Sequence, residues 1–174
     1  EMNHPGAYEL PFGTPLRHLY ESVGGGLKDG KKLKAILPGG PSCAFFTAEG
    51  LDVPLDPESM KQAGSPLGCG VMRFYSEGTC MVEETLRIAQ FFGRECCGQC
   101  PACRMETSML STMLERIHQG KAEAALFGQF QKILDFNRGK GYCALINMPG
   151  PPIMSALQLF RDEFEFHLRN GRCS

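Results

Sequence analysis

Between Glu95 and Arg104 the chain reads Glu-Cys-Cys-Gly-Gln-Cys-Pro-Ala-Cys-Arg, which sets Cys97, Cys100 and Cys103 at two consecutive CxxC spacings. A short loop of that pattern can aim its thiolates at one centre, and Cys143, in a later segment, is available as the fourth. Several sulfurs from one loop and one from a distant loop is a common way of holding an iron–sulfur cluster. Zinc also accepts four thiolates, but its usual sites draw on two separate CxxC knuckles, so the spacing favours iron–sulfur over zinc. Cys96 could replace Cys97 only by giving up the CxxC spacing to Cys100, and it is assigned to the surroundings of the ligands. Gly98 lets the backbone curl so that amides face sulfur. Of the flanking cations Arg94, Arg104, Arg138 and Lys140, Arg104 stands next to a ligand and is the strongest candidate for easing reduction of a buried anionic cluster. With four protein ligands no iron is left open to substrate, so the expected task is moving one electron at a time. Cys43, Cys69, Cys80 and Cys173 read as ordinary small core thiols.

The elements that must position these residues change character partway along the chain. Residues 1–78 read as small β-rich structure with short helices. Strands are expected at Ala7–Leu10, Leu33–Leu37, around Phe45 and Phe46, and at Val71–Tyr75. Helices are expected after Thr14-Pro15 and after Asp56-Pro57, where a capping side chain precedes a first-turn proline. Residues 79–174 follow the helical period. Val82, Leu86 and Ala89 mark a helix ending near Gly93, and a stripe of Met105, Met109, Met113 and Ile117, joined by Leu110 and Leu114, marks a second, read as core. Leu126, Phe130, Ile133 and Leu134 mark a third; Ile153, Leu157, Phe160, Phe164 and Leu168 mark one continuous fourth. The expected class is therefore α+β, a small β-rich domain followed by a four-helix bundle. In an up-down bundle the cysteine loop, between the first two helices, and the Cys143 loop, between the last two, emerge at the same end.

Composition narrows the alternatives. The 174 residues are 43% hydrophobic, with 18 basic and 19 acidic residues and a net charge of −1, which gives no footprint for nucleic acid or an anionic membrane. No apolar run is long enough to span a bilayer, so no direct membrane insertion is expected. Nine cysteines, an odd number with five taken up by the candidate ligands and Cys96, do not resemble a secreted disulfide framework; a reducing compartment such as the cytoplasm fits better. The glycine-rich stretches at Gly24–Gly26 and Gly68–Gly70 match no phosphate-binding fingerprint and read as turns. Two other classes compete with electron transfer: a non-redox scaffold or ligand-binding module with the cysteines on zinc, and, more weakly, a thiol oxidoreductase using Cys97 and Cys100, which lacks the βαβ context.

Several segments carry a family resemblance. Tyr8-Glu9-Leu10-Pro11-Phe12-Gly13-Thr14-Pro15-Leu16, Pro38-Gly39-Gly40, Leu51-Asp52-Val53-Pro54-Leu55-Asp56, Thr79-Cys80-Met81-Val82, the cysteine loop, Cys143-Ala144-Leu145 and Phe160-Arg161-Asp162-Glu163-Phe164 are similar to the C-terminal half of the NADH-binding flavoprotein subunit of respiratory complex I. The diaphorase subunits of NAD-linked hydrogenases and formate dehydrogenases share that half. The resemblance implies a β-grasp domain of the soluble-ligand-binding type, then a four-helix bundle holding one 4Fe-4S cluster on Cys97, Cys100, Cys103 and Cys143. It implies FMN and NADH on a partner chain or another domain, and a flavoprotein or ferredoxin-like iron–sulfur protein as partner. Around the cluster the chain departs from the family: Cys96 stands for a usual serine, Ala102 for a proline, Met105-Glu106 for Glu-Gly, and Asn147 for an aspartate.

Overall fold

The computed structural model describes residues 2–173, and the chain divides into two compact units, Glu1–Thr79 and Cys80–Ser174. The fold mixes helices with a single two-stranded sheet.

In the first unit β1 (Leu33–Leu37) and β2 (Arg73–Ser76) pair antiparallel, Ala35 opposite Tyr75 and Ile36 opposite Phe74, with an irregularity between Leu33 and Ala35. Phe46 extends the sheet only by one reciprocal pair of hydrogen bonds with Ile36, at 2.9 and 2.8 Å. The strand expected at Ala7–Leu10 does not form; Tyr8 instead turns back, its hydroxyl donating to the His4 carbonyl at 2.8 Å. The helix expected after Thr14-Pro15 widens into a π-helix over His18–Val23, with the Gly24 N–H reaching Leu19 O at 2.8 Å. Helix α1 (Pro57–Gln62) starts as its sequence dictates: the Asp56 carboxylate accepts the Ser59 N–H at 2.8 Å, and that bond holds its pKa below the usual range. Leu16, Leu27, Ile36, Leu51, Leu55, Met60 and Phe74 bury one shared core.

Two loops of this unit meet backbone to backbone. Gly39, at φ +75°, lies where a Cβ would come within 2.6 Å of the Pro66 and Leu67 carbonyl oxygens. Gly39→Ala therefore meets both a left-handed φ and a clash with rigid backbone. It should destabilise this unit by roughly 2–3 kcal/mol, read as a lower urea midpoint; an unchanged midpoint would show that the loops give way.

The second unit is helical: α2 (Met81–Glu95), α3 (Pro101–His118), α4 (Phe127–Asn137), α5 (Gly150–Leu159) and α6 (Arg161–Asn170). Helix α3 is the centre, packing against α2, α4 and α6. Its buried face is Cys103, Glu106, Thr107, Leu110, Met113, Leu114 and Ile117, a 3.6-residue stripe; Met105 and Met109 are offset from it and stand 47% and 40% exposed. The expected methionine stripe is thus core only at Met113. The expected fourth helix is two, broken at Phe160 (φ −120°, ψ 31°). The break keeps Phe160 buried and turns the inner face of α6 onto Phe164 and His167 in place of Leu168. Among the described residues no helix is long and apolar enough to cross a membrane.

Candidate metal centre

The thiols are delivered by the helix ends. Helix α2 stops at Cys96, whose N–H still bonds Phe92 O at 3.0 Å while its own backbone turns extended (φ −66°, ψ 117°). Gly98, at φ +77°, makes the next bend, and Cys100 is the residue capping α3, with Pro101 in the first turn. A proline there needs no N–H partner, so α3 begins at once and carries Cys103 inward. On the other loop Cys143 precedes a 3-10 turn at Ala144–Asn147, and the Asn147 carboxamide oxygen accepts the Gly139 N–H at 3.2 Å, closing the loop on itself.

These two segments converge. Cys100 (6% exposed) and Cys103 (5%) are buried against Ile146 of the second loop, with Cys96, Ala102 and Leu145 packed around them. The Tyr142 backbone N–H points at Cys100 Sγ from 3.2 Å, the kind of amide-to-sulfur bond that favours a thiolate. Cys96 and Cys103 bring their sulfurs to 3.5 Å. Burial, then the neighbouring Cys96, Cys100 and Cys143, push the Cys103 thiol up to about 12. That crowding is a test of fit: sulfurs packed this closely cannot all ionise alone, whereas a cationic inorganic core would let them, and an all-sulfur donor set suits iron–sulfur chemistry.

Of the residues singled out from sequence, Cys100, Cys103 and Cys143 share one neighbourhood. Cys96 lies deeper than expected, and Cys97 is exposed. The cations are on the outside: Arg138 pairs with Asp135 at 2.7 Å, Lys140 sits 3.5 Å over the Phe136 ring, and Arg104 is exposed. Arg104, Cys96 and Gly98 line one groove with Thr107 and Ser108.

Sequence reasoning passes over Glu106. It is 0% exposed on α3, and neither carboxyl oxygen has a hydrogen-bond partner among the described residues. Burial pushes it up to about 7, while Asn137 pulls weakly the other way. Asn137 Oδ1 is itself without a donor, and burial of an acid lacking a cationic partner favours its neutral form. A hint is present in the sequence, since a carboxyl three positions after Cys103 falls on the buried stripe.

Sulfurs gathered from two loops at the ends of packed helices make a donor set suited to an inorganic centre. Residues 83–167 match the NADH-ubiquinone oxidoreductase-F iron–sulfur binding region. It is 40% identical over 169 residues to the F subunit of the NADH-quinone oxidoreductase of Streptomyces coelicolor and 36% identical over 167 residues to its counterpart in Escherichia coli. These alignments cover 97% and 94% of this chain but 37% of each relative, so the chain spans well under half the length of those proteins. A solved structure of an NAD+-reducing NiFe-hydrogenase in the H2-reduced state superposes with a TM-score of 0.83 at 26% identity, covering 97% of this chain and 28% of that one.

Proposed function

We propose that this chain is an electron-relay module of a larger NADH- and flavin-linked oxidoreductase, holding one 4Fe-4S cluster on Cys97, Cys100, Cys103 and Cys143. When bound, such a cluster accepts and donates single electrons. The protein's part is to hold and shield it. Ile146, Leu145 and Ala102 keep water from the buried sulfurs, the Tyr142 N–H stabilises charge on Cys100, and the start of α3 places the positive end of a helix dipole beside Cys100 and Cys103. The observation that carries this reading is the convergence of Cys100, Cys103 and the Cys143 loop on one apolar floor. In this reading the second unit is the cluster-bearing four-helix bundle, with α5 and α6 together as its last helix, and the first is a β-grasp domain for docking.

FMN and NADH belong, in the same reading, to a partner chain or to a further domain, and the electrons pass to or from a flavoprotein or a ferredoxin-like protein. The relatives' names support this through the complexes they denote. The test is iron and acid-labile sulfide analysis after anaerobic purification, with an EPR spectrum before and after dithionite. About four irons and four sulfides per chain, with a paramagnetic signal on reduction, are expected. Zinc at these cysteines, without iron or a redox signal, would select the scaffold reading instead.

A further inference from the structure

A second thiol group stands at the opposite end of α2 from the cysteine loop. Cys80 precedes that helix; Cys96 follows it. The Sγ atoms of Cys80 and Cys173 and a ring nitrogen of His167 all lie within 4.8 Å of one another, with Cys80 Sγ 3.2 Å from His167 Nε2. A tetrahedral zinc with sulfur at about 2.3 Å and nitrogen at about 2.0–2.1 Å sets ligand-to-ligand edges of roughly 3.5–3.8 Å, so the three groups need to close by about 1 Å at most. None of these residues follows a ligand spacing in sequence, where Cys80 and Cys173 read as core thiols; Cys173 is in fact exposed and Cys80 half-buried.

The trio is built as ligands are built. His167 is 1% exposed, and its Nδ1 lies 3.1 Å from the His118 carbonyl oxygen. A carbonyl only accepts, so Nδ1 carries the proton and the Nε2 lone pair is left facing Cys80. An imidazole held from behind in this way is how zinc sites fix the tautomer of a histidine ligand. The His118 ring stacks on it at 5.2 Å and holds its plane. Cys80 caps α2 and receives the Glu83 N–H at 3.4 Å, at the end of the helix where negative charge is favoured. Gly171, at φ +63°, ends α6 and turns the chain toward Cys173; it lies so close to Gly120 that a Cβ on Gly120 would come 2.8 Å from the Gly171 Cα.

We propose that Cys80, His167 and Cys173 bind one zinc ion, with water in the fourth position, and thereby fasten the start of α2 to the end of α6. Binding releases the two thiol protons to solvent, so the bound site is neutral and no oxidant or reductant is involved. The exposed Cys173 leaves the fourth position open to water.

The cluster-loaded full chain, prepared with its thiols reduced, is dialysed against limiting zinc, and zinc is counted separately from iron. One zinc per chain is expected, bound at least about 100-fold more weakly in Cys173→Ser and in Cys80→Ser, the latter keeping a good helix cap. In a parallel measurement zinc should slow alkylation of Cys80 and Cys173 at least about 10-fold, mapped peptide by peptide, and leave the exposed Cys69 unaffected. Absence of zinc beyond the cluster metal, equal binding in both variants, or a Cys80–Cys173 disulfide that zinc does not prevent would each overturn the assignment. Iron content bears only on the cluster, so the two readings fail separately.

Discussion

Cys143→Ser is expected to lose its cluster almost completely while the polypeptide keeps its fold. Cys143 is exposed, and its side chain supports none of the buried core, so replacing sulfur by oxygen removes a ligand and little else. The loss should show as iron falling from about four per chain toward zero and as the disappearance of visible absorption, with helical circular dichroism unchanged. The informative companion is a pair of variants at the adjoining positions. If Cys97 is the ligand, Cys97→Ser should behave like Cys143→Ser and Cys96→Ser should keep its iron. The spacing to Cys100 supports that outcome, but the 3.5 Å approach of Cys96 to Cys103 gives the opposite outcome a structural basis. Iron lost from Cys96→Ser and kept in Cys97→Ser would move the ligand by one position. Full iron in Cys143→Ser would remove the distant loop from the site altogether.

Glu106→Gln should remove a large pH dependence of stability from the second unit. The Glu106 pKa stands at about 7 against an ordinary value of 4.5, because burial penalises the ionised form by more than Asn137 favours it. Below pH 4.5 the side chain is protonated whether the chain is folded or not. Between 4.5 and 7 the unfolded chain gives up the proton while the folded one retains it, so stability falls as pH rises and levels off above about 7. The total loss is on the order of 3 kcal/mol. Glutamine is uncharged throughout and of the same shape. Urea unfolding of the second unit should therefore show the variant close to the wild type at about pH 4.5 and more stable by a few kcal/mol at about pH 8. Parallel curves at both pH values would mean that the ionised carboxyl finds water or a partner.

How far the sequence could be read depended on whether the signal was local. Leu33–Leu37 has β-favouring residues bounded by turns, and it forms β1 over those residues. Asp56-Pro57 states a helix start in two residues, and α1 obeys it. The periods of α2, α3 and α4 were visible because each buries one face. What failed depended on contacts remote in sequence. Ala7–Leu10 alternates like a strand, but no neighbour offers it a ladder. Phe160 fits a continuous helical stripe, and only its burial against other helices shows why the stripe breaks there. Met105 and Met109 belong to a run of apolar residues too broad for one face, and packing buries Leu110 and Leu114 with Thr107 while leaving those two methionines out. The cysteine loop was legible since three of its sulfurs sit within one short segment. Cys80 and His167 come together only because α6 ends beside the start of α2, which no spacing records.

Helix α2 also works as a ruler. At about 1.5 Å per residue, Cys80 and Cys96, flanking its 15 residues, stand on the order of 24 Å apart at its two tips. That span puts the two sulfur-rich ends beyond any direct contact, so a thiol reagent or ion held at one tip does not touch the other.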